Sequence, residues 1–128
     1  MSVAPTPHIR HGVDLVHVPK LKALLKERPQ FEERVFTDDE RQYCNGFPEP
    51  APHFAARFAA KEAALKALGL GITPLGVVAR LREVEVVRKG TAPTLALHGR
   101  SAREAERLGV CSSSVSLTHD GDHALAAV

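Results

Sequence analysis

The sequence has 128 residues, 44% of them apolar and 25% charged, with a net charge of +2. That suits one soluble globular domain able to bury a core without disulfides, and the small charge gives no electrostatic footprint for nucleic acid. No run approaches the ~20 apolar residues of a membrane span, and the N-terminus has no basic region followed by an apolar stretch. With Cys44 and Cys111 far apart and in no metal-ligand spacing, the expectation is a cytoplasmic protein with reduced thiols.

Residues 1–8 carry two prolines and read as a flexible N-terminal tail, leaving 9–128 as the single domain. The run Ile9 to Val16 ends in a strand-like stretch. Pro19 opens a helix at its first position, with Leu21, Leu24 and Leu25 on the core face and Lys20, Lys22 and Lys26 outside. Thr37-Asp38-Asp39-Glu40 is a capping-box pattern for a short helix to about Tyr43. Residues 45–52 hold one glycine and three prolines and predict a loop. His53 to Leu68 is alanine-rich and free of breakers, and predicts the longest helix, stopped by Gly69. Leu81 to Val87 and Thr94 to His98 read as strands around a turn at Lys89-Gly90. Ser101-Ala102-Arg103-Glu104 reads as a second capping box, for a helix ending near Gly109. Asp120-Gly121 between two apolar runs predicts a closing hairpin. The sum is α+β, an antiparallel sheet packed on one long helix.

Along that helix Phe58, Glu62 and Lys66 recur every four residues and share a face, with Arg57 and Lys61 in the neighbouring row. Spacing alone favours a solvated Glu–Lys pair there, although the flanking alanines imply close packing. Gly69-Leu70-Gly71 is either a helix cap or a loop whose backbone can approach a phosphate. Asp14 is either an acid at the exposed end of an apolar strand or lies inside it, where a carboxylate is costly unless paired or metal-bound. Asp14 and Glu62 together suffice for Mg²⁺, which takes one or two carboxylates and completes its shell with water and phosphate oxygens. His119 falls at a strand end beside the predicted turn.

Read in order, these segments resemble one family. Gly12-Val13-Asp14, followed after a gap by Phe58-Ala59-Ala60-Lys61-Glu62-Ala63-Ala64-Leu65-Lys66, resembles the signature of the 4′-phosphopantetheinyl transferases. The wider likeness is to the short, single-module holo-[acyl-carrier-protein] synthases. It extends through Phe31–Phe36, Tyr43-Cys44, the glycine turn and Val115-Ser116-Leu117-Thr118-His119. Val16 stands where the larger enzymes of the superfamily carry a second acid. Thr118 and Asp120 stand where the family commonly has serine and threonine.

The resemblance implies transfer of the phosphopantetheinyl arm of coenzyme A to a serine of an acyl carrier protein, in a homotrimer with CoA between subunits. It implies Mg²⁺ on Asp14 and Glu62, with Glu62 and Lys66 catalytic. It implies CoA contacts from Arg57, Lys61, Lys66, Gly69, Gly71 and His119. Lys20, Lys22, Lys26 and Arg28 would form the docking surface for an acidic carrier, in the service of fatty acid biosynthesis. A non-catalytic CoA- or carrier-binding module would not need both acids. A nucleic-acid binder would need aromatics interleaved with the basic residues near Lys20.

Overall fold

In the computed structural model, which describes residues 8–70 and 77–128, the chain opens with β1 (Val13–His17). Four helices follow: α1 (Val18–Glu27), α2 (Pro29–Val35), α3 (Asp38–Asn45) and α4 (Pro50–Ala67). Next come α5 (Val77–Glu83), β2 (Val84–Arg88), β3 (Pro93–Leu97), α6 (Gly99–Arg107), β4 (Ser116–Asp120) and β5 (His123–Ala127). The α+β class is as expected, but the strands form two antiparallel sheets, β1-β5-β4 and β2-β3.

The sequence explains why α4 is central. Ala55, Ala56, Ala59, Ala60, Ala63 and Ala64 are all buried, and their small side chains let β1 and β5 lie against the helix backbone. Asp14 and Val16 pair with Ala126 and Ala124 in β5. Both alanines are buried, so these positions face α4 while Val13 and Leu15 face outward. Gly69 takes φ +71° just after the helix, the left-handed conformation that ends helices at glycine. Thr37 and Glu40 form the expected reciprocal cap on α3, Thr37 Oγ1 accepting from Glu40 N and Glu40 Oε1 from Thr37 N. The closing hairpin forms as expected, with Asp120 opposite His123.

Four expectations are corrected. Pro19 stands second in α1, after Val18, and His17 caps the helix by accepting from Lys20 N. The long helix begins at Pro50 rather than His53, because proline suits a first turn whose N–H groups have no intrahelical partner. The first half of the expected strand Leu81 to Val87 is the end of α5, and the strand starts at Val84. Ser101 caps nothing: α6 starts at Gly99 after His98, and buried Ser101 uses its N–H and hydroxyl to donate to Glu83 Oε2. The expected tail, apart from exposed His8, lies outside the described residues, and no described helix is long and apolar enough to cross a membrane.

Candidate active site

β1 and the C-terminal half of α4 bring three of the expected residues together. Lys66 Nζ donates to Asp14 Oδ1 at 2.9 Å and to Val13 O at 3.2 Å, so its partner is the strand acid rather than Glu62 on its own helix. Glu62 is held up to about 7, first by burial and then by the charge of Asp14, with Lys66 acting in the opposite direction. Two carboxylates close enough to oppose each other's ionisation form a cluster that a divalent cation would relieve. Among the described residues no three acid, histidine or cysteine groups converge on one metal. Two acids nevertheless fit Mg²⁺, which leaves most of its shell to water and substrate phosphate.

The N-terminal half of α4 carries a different cluster. Arg57 is buried, with its guanidinium 4.0 Å above the ring centre of Tyr43, and its Nε finds no hydrogen-bond partner among the described residues. One turn earlier His53 stacks on Phe47, with ring centres 3.6 Å apart, and meets His119 edge-on at 5.4 Å. Burial and then the nearby His119, Arg57 and Arg88 hold His53 below the ordinary histidine range. His119 itself is exposed. A buried guanidinium with an unsatisfied Nε beside two imidazoles is a place for an anion. Sequence reasoning missed His53, Tyr43 and Phe47, although His53 and Arg57 stand one helical turn apart and so share a face.

The two clusters sit at different points along α4. His53 precedes Glu62 by about 14 Å along the helix at its standard rise, and Arg57 precedes it by about 8 Å. His119 lies on β4, across the sheet from β1, and its row contains Val16 rather than Asp14.

Lys61 is not where a phosphate could reach it. Its side chain is 0% exposed, and Nζ donates to Glu40 Oε1 at 2.7 Å, Val84 O at 2.6 Å and Leu81 O at 3.1 Å. All three ammonium donors are used. Glu40 completes the network by accepting from Val86 N at 2.9 Å. The expected CoA contact is thus an internal tie holding α4 to the α5–β2 junction. Of the glycine turn, Gly69 follows the α4 cap residue Leu68 and is exposed, while Gly71 lies outside the described residues. Lys20, Lys22, Lys26 and Arg28 are all exposed. Lys22 and Lys26 line a groove of about 700 Å³ with Pro19, Leu25, Phe54 and Asp122.

A family model described as the 4′-phosphopantetheinyl transferase superfamily matches residues 10–128. The chain belongs to that superfamily. Among curated relatives of this transferase, the holo-[acyl-carrier-protein] synthase of Anaeromyxobacter dehalogenans is 47% identical, with 91% of each chain covered. The crystal structure of holo-[acyl-carrier-protein] synthase from Neisseria meningitidis superposes with a TM-score of 0.79 at 30% identity, covering 94% of this chain and 96% of that one. The Chronobacterium ammoniagenes ACPS–CoA complex gives a TM-score of 0.78 at 30% identity, covering 94% and 95%.

Proposed function

We propose that this transferase is a holo-[acyl-carrier-protein] synthase that moves 4′-phosphopantetheine from coenzyme A to a serine of an apo acyl carrier protein. The serine oxygen forms a bond to the β-phosphorus of CoA. The bond from that phosphorus to the bridging oxygen breaks, and adenosine 3′,5′-bisphosphate leaves as the serine gives up its proton. The observation that carries the reading is the convergence of Asp14, Glu62 and Lys66, with Glu62 raised to about 7 by its surroundings. A binding module gains nothing from two acids forced together.

Asp14 and Glu62 would hold Mg²⁺, which when bound neutralises charge on the pyrophosphate. Lys66, with its side chain 44% exposed, is free to turn from Asp14 to the departing phosphate and offset the charge that grows there. Reactions of this class depend on positioning and charge stabilisation more than on covalent catalysis. Gly69 and Gly71 would let the backbone approach CoA. Arg57 and His119, joined by His53, would hold the nucleotide's phosphates; Lys61 has no part in this because its ammonium is sealed.

Arg57 and Glu62, five residues apart, point about 140° apart around α4, Arg57 to Tyr43 and Glu62 to Asp14, which supports a CoA site made from two chains. The outward face of β1 supports a homotrimer. Val13 and Leu15 are 55% and 60% exposed there, a cost that a second copy of the chain would remove. Docking of an acidic carrier falls to Lys20, Lys22, Lys26 and Arg28, since complementary charge speeds encounter and fixes register. We place the enzyme in the cytoplasm, in fatty acid biosynthesis, where the free Cys44 and Cys111 would stay reduced.

The test is release of adenosine 3′,5′-bisphosphate from CoA and Mg²⁺ only when an apo carrier is added. Release without a carrier, or none with several carriers, would contradict the reading. In the same assay, Lys22→Glu with Lys26→Glu should raise KM for the carrier and spare KM for CoA; an unchanged carrier KM at low salt would put docking elsewhere.

A further inference from the structure

The segment leading into β1 is fastened to the last turns of α4 at three successive points. Arg10 Nε donates to Ala67 O at 2.8 Å, at the end of the helix, where carbonyls lack intrahelical donors. Gly12 lies so close to the helix that a Cβ on it would stand 2.0 Å from Ala63 O and 3.1 Å from Ala67 N. Lys66 then reaches out from α4 to Val13 O and Asp14 Oδ1. From the other side, the Gly12 N–H donates to Val128 O at 2.8 Å and Gly12 O accepts from Val128 N at 2.9 Å. Gly12 is therefore held between β5's end and the helix, and it can retreat from neither.

Gly12 is not among the glycines with positive φ, so what the position demands is space rather than an unusual backbone angle. Asp14 is two residues further on and projects from the same side of the chain, towards α4. Ala63, which Gly12 touches, follows Glu62 directly and precedes Lys66 by three residues. The gap between strand and helix at Gly12 therefore sets how near Asp14 comes to Glu62 and Lys66. Arg10 closes that gap from one end and is itself exposed, so its bond can be removed without opening the core.

We propose that Gly12 and Arg10 are positioning residues for the acid pair: they dock the start of β1 on the end of α4 and thereby hold Asp14 at the distance from Glu62 that one divalent cation needs. This rests on the reading of Asp14 and Glu62 as the Mg²⁺ ligands. Neither residue touches CoA or the reacting atoms; both act through Asp14.

The experiment measures Mn²⁺, a spectroscopic substitute for Mg²⁺, bound in the presence of CoA, by the paramagnetic resonance of the free ion. Thermal melting is recorded for every variant. Arg10→Met, which keeps the aliphatic stem, should weaken Mn²⁺ binding by about fivefold as β1 lifts from α4, while melting falls by only a few degrees, the cost of one hydrogen bond. Arg10→Lys should recover most of the loss. Gly12→Ala should weaken binding by more than about tenfold, because the backbone cannot absorb an overlap of this size without moving the strand. Wild-type Mn²⁺ affinity in Arg10→Met, or in a folded Gly12→Ala, would overturn the proposal. If Gly12→Ala does not fold, the Arg10 pair decides alone. Mn²⁺ binding left unchanged by Glu62→Gln would instead sink the acid-pair reading, so the two failures are distinguishable.

Discussion

Lys66 spans from α4 to β1 and pairs with Asp14 at 2.9 Å, leaving Glu62, one turn away on its own helix, without that partner. The pair is largely solvent-accessible on the lysine side, so it adds little to stability. If Lys66 instead acts on charge that grows as the phosphate departs, Lys66→Ala should lower kcat much more than it raises KM for CoA, with melting nearly unchanged. Equal kcat in the two proteins would return Lys66 to a surface ion pair.

Glu62 gives a pH signature. Burial and Asp14 raise its carboxyl from an ordinary 4.5 to about 7. A carboxyl that holds its proton more tightly when folded stabilises the fold fully below about 4.5, and loses that contribution as pH rises through about 7. Metal-free Glu62→Gln should therefore match wild type near pH 4.5 and exceed it at pH 8 by roughly 1–3 kcal/mol, allowing for partial solvent screening. With Mg²⁺ and CoA the order should reverse, because only wild type gains from binding. Urea titrations at the two pH values check this; parallel stability curves would contradict it.

The buried Lys61–Glu40 pair gives the opposite kind of variant. Removing one member of such a pair leaves an uncompensated buried charge and costs about 3–5 kcal/mol. Lys61→Met should lose stability of that order while KM for CoA in the folded protein stays near wild type. A Lys61→Met protein of normal stability and raised KM would restore Lys61 as a phosphate contact.

Much of this was legible in the sequence because the signals were local. The Thr37 capping box, the α4 stop at Gly69 and the Asp120-Gly121 hairpin each depend on a few adjacent residues. What escaped depends on partners far along the chain. Leu81 and Val84 sit in an apolar run that fits strand or helix, and the choice falls where Lys61, about twenty residues earlier, donates to their carbonyls. Ser101 has the spelling of a cap but spends its donors on Glu83. Lys61 and Glu62 are neighbours with charged side chains, yet one is sealed in the core and the other opens to the site; spacing on a helix gives the faces but not which of them is buried. The needs of Mg²⁺ offered Asp14 and Glu62 as a possible pair, but only the family resemblance favoured it, since nothing local brings β1 to α4.

Separation of the two clusters predicts complementation between inactive subunits. Asp14→Asn and Arg57→Ala should each be nearly inactive alone. If every CoA site takes its acids from one chain and its Arg57 cluster from the next, random mixing of the two in a trimer regenerates about a quarter of the sites intact. Activity returning to about that level after mixing and reassembly supports the shared site. No recovery in a verified mixed trimer would assign both clusters to one chain's site.

If the acid pair at the junction of β1 and α4 supports transfer of phosphopantetheine to a carrier serine, removing one acid must stop the carrier from gaining mass. The most direct measurement is the intact mass of an apo acyl carrier protein after incubation with CoA, Mg²⁺ and either wild-type protein or Glu62→Gln. The carrier should gain one phosphopantetheinyl unit on its serine with wild type and almost none with the folded variant. No mass gain with wild type, or the same gain at the same rate with Glu62→Gln, would contradict this expectation.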